Sequence, residues 1–234
     1  MKVRIPRLAD FNALRARIRN VNAILAPLGC RPWRKLCLFD VGSNDGSAFG
    51  DLPRLLPWCD VYAFEPTPEL VAQIQSRYGS QKRFHLIPKA VGETSGTARF
   101  NVAGQSDWGC SSLLEFSPNL ERTWPGRTDF RFTNHIDVEI IRLDEFIRDH
   151  RIPKIDFLHI DTQGTDLSVL RSLGKEITRV QAGVIEVPQR AEVMLYKGQH
   201  TREQAIEFLT ENKFEIWKTV PQQNEDNLFF RRKK

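Results

Sequence analysis

The sequence predicts an α/β fold in which a mostly parallel sheet carries helices on both faces. Three observations carry that prediction. Short apolar runs alternate with helix-forming stretches through most of the 234 residues, the pattern of buried parallel strands joined by helical crossovers. The first run, Leu36–Val41, opens into D-V-G-S-N-D-G, where Gly42 and Gly46 let the chain turn and a ligand approach the backbone. A second run, Val61–Phe64, ends in Glu65, 25 residues after Asp40. That is about where a nucleotide-binding sheet offers an acid to ribose hydroxyls.

Ahead of the sheet, Phe11, Leu14, Ile18, Val21, Ile24, Leu25 and Leu28 recur at helical intervals and predict an amphipathic helix over residues 10–28. It is expected to pack on the domain edge. Leu36–Val41 is the first strand and Ser47–Leu56 the helix after it. Val61–Glu65 is the second strand. Pro68–Tyr78 is a helix that starts on proline, whose missing N–H is no loss in a first turn. Phe84–Ile87 is the third strand. Ile155–Asp161 is the fourth, followed by a helix over Asp166–Leu173, and Val180–Val187 is the fifth. Thr201–Asn212 reads as a helix opened by a threonine cap with Glu203 nearby. Phe214–Val220 and Leu228–Arg232 are strands joined by a polar turn, a link so short that the pair is antiparallel.

Between the third and fourth strands lies additional material. Thr97–Val102 and Asp137–Leu143 read as strands, and residues 103–136 as a long loop. A loop of that length in a compact domain usually has a function or is disordered. The expected organisation is an N-terminal helix and linker over 1–34, then one domain over 35–234 with a β/loop insertion at about 95–143. This length suits one α/β domain.

The net charge of +5 is modest and concentrated at the two ends of the sequence. It gives no strong nucleic-acid signal, and no RNA-binding or zinc-finger pattern accompanies it. Cys30, Cys37, Cys59 and Cys110 form no C-x-x-C pair and stand at no zinc-ligand spacing. No metal is expected. The sequence has no signal-peptide pattern and no apolar stretch long enough to span a bilayer, so a reduced, cytoplasmic setting is the expectation.

The first loop has a telling charge pattern. A dinucleotide fingerprint would read G-x-G-x-x-G, with a diphosphate on the helix N-terminus. Here the middle glycine is absent, an acid precedes the first glycine, and Asp45 would repel a diphosphate. The sulfonium and amino groups of S-adenosylmethionine fit these acids, whereas NAD does not.

Four segments together, D-V-G-S-N-D-G, V-Y-A-F-E-P (Val61–Pro66), K-A-V-G (Lys89–Gly92) and I-D-F-L-H-I-D-T-Q-G-T-D (Ile155–Asp166), resemble the FkbM-type S-adenosylmethionine-dependent methyltransferases. The closing D-N-L-F-F-R (Asp226–Arg231) fits as well. The resemblance runs from about Leu36 to Arg231. It implies a Rossmann-like class I methyltransferase fold, with seven strands in the order 3-2-1-4-5-7-6 and strand 7 antiparallel. It also implies O-methylation of hydroxyl groups on sugars or natural products. By position, Asp40, Gly42, Asn44 and Gly46, with Ser43 beside them, would line the methionine and ribose end. Glu65, followed by Pro66, would accept hydrogen bonds from the ribose, Ala90 and Val91 would border the adenine, and Asp161 would face the methyl group. The family reads K-I-D-V-E-G where this chain has His159-Ile160-Asp161-Thr162-Gln163-Gly164, a departure on the substrate side.

Methyl transfer to a hydroxyl needs the acceptor aligned and its proton removed. Residues two apart on a strand share a face, so Asp161 is the expected base or acceptor-positioning group, with His159 behind it as orienter or alternative base. Trp108, Ser111, Ser112 and His135 in the insertion, and Glu186 at the end of the fifth strand, are candidates for the acceptor pocket. The expected partner is a small-molecule hydroxyl acceptor, and the sequence leaves a homodimer open. Two other readings stay open: the same cofactor site serving a protein or nucleic-acid acceptor, and an inactive cofactor-binding scaffold.

Overall fold

The computed structural model describes Leu25, residues 34–104 and residues 107–233. The helix expected over 10–28 and its linker lie outside the described residues, apart from Leu25 and Arg34; Leu25 packs on the apolar cluster that holds Leu36 and Phe49.

Seven strands form the main sheet: β1 (Leu36–Val41), β2 (Cys59–Phe64), β3 (Phe84–Ile87), β7 (Phe157–Ile160), β8 (Ala182–Pro188), β9 (Phe214–Pro221) and β10 (Glu225–Arg232). Their order is β3-β2-β1-β7-β8-β10-β9, and β10 runs antiparallel to both its neighbours. That is the order the resemblance implies. Successive residues on a strand bury on opposite faces: Leu38 and Phe157 join one apolar cluster, Phe39 and Leu158 the other. α2 (Pro68–Tyr78) covers the first face with Ile74 and Tyr78. The second face is covered by α4 (Leu143–Asp149), α5 (Asp166–Ser172) and α6 (Arg202–Glu211), through Phe146, Leu170 and Leu209. Each such side chain contributes about 1.5–3 kcal/mol on burial.

Two elements depart from the sequence reading. The helix expected over Ser47–Leu56 shrinks to α1 (Leu52–Leu55). Pro53 lacks the N–H that a preceding turn would need, and Gly50 lies so close to the Tyr78 ring that a Cβ there would stand 2.6 Å from it. The strand expected over Asp137–Leu143 is β6 (Asn134–Ile141), and α4 starts directly after it. Leu143, Phe146 and Ile147 are spaced as one helix face, and all three are buried.

The insertion is a small sheet of its own. β4 (Ala90–Val91) and β5 (Gly96–Val102) flank β6, in the order β4-β6-β5. Beyond β5 the chain forms a short 3-10 turn at Trp108–Cys110 and one helical turn, α3 (Leu120–Thr123). Two contacts tie this segment down. Ser112 bridges back to Asn101, and Phe116 bridges to Tyr196 ahead of α6. Among the described residues no helix is long and apolar enough to cross a membrane.

Candidate active site

The sheet order reverses between β1 and β7, and a crevice opens there at the carboxyl ends of the strands, where α/β sheets bind ligands. Gly42 makes the turn possible. Its φ is 82°, and a Cβ would stand 1.9 Å from the carbonyl oxygen of Asp161. Only glycine lets the β1 loop pass so close to the end of β7. The N–H groups of Gly42 and Ser43 both donate to the Phe64 carbonyl, tying the loop to β2.

Glu65 sits at the end of β2, buried. Its Oε2 accepts the Asn44 N–H and its Oε1 the Thr67 N–H, each at 2.9 Å. Burial pushes its pKa up to about 7 against the pull of those N–H groups, and the Asp40 charge adds to the rise. Beside it opens a cleft with Val41, Phe64 and Thr67 on its wall.

Of the residues expected to hold a cofactor, Gly42, Asn44, Glu65, Pro66, Ala90, Val91 and Asp161 line this cleft. Asp40, Ser43 and Gly46 do not; they shape the loop from beneath. Asp40 is 1% exposed, Ser43 Oγ donates to the Asp40 carbonyl, and Gly46 packs against Ile74 and Tyr78. Asp45, expected to repel a diphosphate, is instead paired with Arg77 and the Ser47 N–H outside the cleft.

The other wall is Asp161, just past the end of β7, with its N–H donating to the Val41 carbonyl. Burial raises its pKa, opposed by His159 and by the Gln163 amide. His159 itself stands outside the cleft. Parallel register sets it opposite Asp40, and its Nδ1 lies 2.8 Å from Asp40 Oδ1, with Phe49 edge-on to the ring. Burial disfavours its charge, yet the bond to Asp40 and the nearby acids hold its pKa above the ordinary value. The structure thus joins His159 to Asp40 by a hydrogen bond, not to Asp161, because Asp161 lies beyond the last paired residue of β7.

Among the acceptor candidates, Trp108 and Ser111 line the cleft, and Phe100 and Leu113 of the insertion join them. Ser112 does not. It is fully buried, and its hydroxyl donates to the Gln163 carbonyl. His135 is exposed and does not line the cleft; its Nδ1 bonds Oδ1 of Asn101, its partner across the β5–β6 pair. Glu186 faces a separate small cavity with Asp166 and His200. Burial and the charges of Asp161, Glu225 and Asp166 raise its pKa well above the carboxylate range. Asp166 shares that environment and is pushed up to about 8, mainly by burial.

Lys89, Phe100, Leu113 and Gln163 line the cleft without having been assigned a site role from the sequence. Gln163 had one signal: it stands where the family's K-I-D-V-E-G has its glutamate, the departure noted on the substrate side. Among the described residues the thiols of Cys37, Cys59 and Cys110 are free, and burial raises the pKa of each, Cys37 to about 12. Among the described residues, no group of three or more His, Cys, Asp or Glu is placed to hold a metal ion.

This sheet order, with an antiparallel β10, a glycine turn at the reversal and an acid ending β2, defines a class I S-adenosylmethionine-dependent methyltransferase. The Methyltransferase FkbM domain family matches residues 40–216, and the chain belongs to that family. It is 26% identical over 203 residues to the 2-O-methyltransferase NoeI of Sinorhizobium fredii (strain NBRC 101917 / NGR234), covering 84% of this chain and 79% of that protein. Solved structures with a similar course include a precorrin-6y C5,15-methyltransferase from Geobacter metallireducens GS-15. That one is 13% identical over 91% of this chain and 86% of its own, with a TM-score of 0.49. Another is the magnesium protoporphyrin IX methyltransferase of Synechocystis PCC 6803, 10% identical over 99% and 87%, also at 0.49.

The residues present fit the family's methyl donor. Each Glu65 oxygen accepts one N–H and keeps a second acceptor site for a ribose hydroxyl. The acids Glu65 and Asp161 suit a cationic nucleoside, and Ala90, Val91 and Phe64 supply an apolar wall.

Proposed function

We propose that the protein methylates a hydroxyl oxygen of a small molecule of the sugar or natural-product type. The observation that carries this reading is Asp161. It stands on the cleft wall with Oδ1 held by the Gln163 amide at 2.7 Å, while Oδ2 accepts no hydrogen bond among the described residues. A half-buried carboxylate with one free oxygen is suited to accept a hydroxyl proton, and its raised pKa brings it nearer to matching that task at neutral pH.

Bound S-adenosylmethionine supplies a methyl group made electrophilic by positively charged sulfur. The chain's residues do the rest. Glu65 and the Asn44 loop hold the ribose end, while Pro66, Ala90 and Val91 border the base. Asp40, Ser43 and Gly46 fix the loop from below, and His159 holds Asp40 in place. Asp161 aligns the acceptor oxygen and takes its proton at Oδ2. Trp108, Phe100 and Leu113 cover the cleft and exclude water, with Ser111 at the acceptor side. Alignment of this kind is worth roughly 7–11 kcal/mol of barrier. The NoeI relative, named as a 2-O-methyltransferase, supports an oxygen acceptor.

The test incubates the purified chain with methyl-labelled donor and a panel of sugars and polyols, each with its hydroxyls free or blocked. Label in an ether product from the free-hydroxyl members is the expected result. Label that enters only amines, protein or RNA would overturn the reading.

A further inference from the structure

Gln163 is held more tightly than any cleft residue beside it. It is a non-glycine in left-handed backbone, φ 55°, followed by Gly164 at φ 94°. Such a conformation is strained and persists where the surroundings over-determine it, often at a functional site. Three partners do so here. The Gln163 carbonyl accepts the Ser112 hydroxyl at 2.6 Å. Its amide nitrogen donates to Asp161 Oδ1 at 2.7 Å. Its amide oxygen accepts the hydroxyl of Tyr196 at 2.9 Å, and that ring is 1% exposed. Gly164 permits the closure, because a Cβ there would stand 2.9 Å from the Tyr196 ring.

Donor counting fixes the direction of this chain. An ionised Asp161 only accepts, so the amide must turn its nitrogen to Asp161 and its oxygen to Tyr196. The Tyr196 hydroxyl then donates, sharing its proton with the Cys110 carbonyl, also at 2.9 Å. The surroundings make the donated bond matter. The charged and titratable groups acting on Asp161 are Asp40 from β1, His159 from β7, Asp166 from α5, Glu186 from β8, Glu225 from β10 and Tyr196 itself. Four of the six are carboxyls. With so many acids near, a hydrogen bond given to the charged form of Asp161 opposes its neutralisation.

We propose that Gln163, oriented by Tyr196, is a positioning residue that holds Asp161 by Oδ1, favours its ionised form and leaves Oδ2 as the atom that meets the acceptor hydroxyl. This rests on Asp161 being the base. In the step it serves, the acceptor O–H bond breaks, the proton goes to Oδ2, and the bonding pair stays on the acceptor oxygen. The Gln163 bond to Oδ1 persists throughout, since a protonated carboxyl still accepts at its other oxygen.

The test is the carboxyl carbon-13 titration of Asp161 in the donor-free chain, its resonance assigned by its loss in Asp161→Asn. It is run on the wild type and on Gln163→Met, which keeps the shape and removes the amide. Losing a hydrogen bond to a charged group raises the Asp161 midpoint by about one pH unit or more. The acidic limb of kcat moves up with it, while donor Kd stays within about twofold. An unmoved midpoint in folded Gln163→Met overturns the proposal. Should that variant not fold, the Gln163 side-chain nitrogen-15 signal of the wild type decides, because it must titrate with the Asp161 midpoint; a flat signal overturns the proposal equally. Full turnover by Asp161→Asn would remove the base reading alone, since the carboxyl midpoint is measured without turnover.

Discussion

Glu65 and Asp161 are carboxyls on walls of one cleft, the first buried and the second half-buried, yet they are anchored differently. Glu65 is held by main chain: its two oxygens accept the N–H groups of Asn44 and Thr67. Asp161 is held by a side chain, the Gln163 amide, which depends in turn on Tyr196 and Ser112. Backbone donors come with the fold and survive most substitutions. Side-chain donors are chosen residue by residue. On the proposed reading, the donor half rests on main chain and the acceptor half on side chains.

The largest expected effect breaks the acceptor half alone. Asp161→Asn keeps the shape and removes the base, so kcat should fall by about 10²–10⁴-fold. Donor affinity should hold within a few-fold, because Glu65 and the Asn44 loop are untouched. Single-turnover kinetics beside calorimetry separates the two quantities. A variant that loses donor binding as severely as turnover would erase the distinction between the two walls.

The two halves also differed in how far they could be read from sequence. Glu65 was visible because its cues are local: an apolar run, a terminal acid and a glycine turn at fixed separation. The parallel α/β class followed from the alternation of runs and the antiparallel last pair from its short link, whereas the strand order came from the family resemblance. The partners of Gln163, through which Asp161 is held, were not visible. Tyr196 lies 33 residues from Gln163 and Ser112 lies 51 away, and no periodicity joins such positions. His159 was placed on the right strand, but its partner Asp40 is 119 residues away and is set by register between β1 and β7. The shortened α1 shows a different limit. It was read as the helix following the first strand, and Pro53 and the close approach of Gly50 to Tyr78 shorten it.

The next effect breaks the donor half. Glu65→Ala removes a charged acceptor, which costs about 1.5–3 kcal/mol, so donor Kd should rise about tenfold or more. Calorimetry showing unchanged affinity in the folded variant would remove Glu65 from the site. The wild type carries a further signature. With Glu65 at about 7 in the donor-free fold, against an ordinary 4.5, the folded chain holds this proton more tightly than the unfolded chain. The stability it contributes is complete below about 4.5 and is lost as pH rises through about 7, roughly 3 kcal/mol at most. Ribose hydroxyls favour the ionised form, so donor binding near pH 6 should release a proton and weaken as pH falls. Binding enthalpies compared in buffers of different ionisation heat would count that proton; no release would contradict the assignment.

The smallest expected effect shows where the acceptor half ends. His135 lies in the insertion, as Trp108 does, and an aromatic-rich insertion over a cleft invites assigning all its polar rings to substrate. The structure divides them. Trp108 lines the cleft with Asp161, whereas His135, exposed on β6, bonds the Asn101 side chain. Asn101 is itself secured without that imidazole, since its Nδ2 donates to the Leu114 carbonyl and its backbone pairs with Ser112. Removing His135 thus leaves the wall that Ser112 and Gln163 build intact. A surface change of this kind is usually within about 0.5 kcal/mol, so His135→Ala should alter acceptor KM and kcat by about twofold or less. A tenfold rise in KM with unchanged stability would mean that the acceptor extends over β6, well beyond the cleft that Asp161 and Trp108 line.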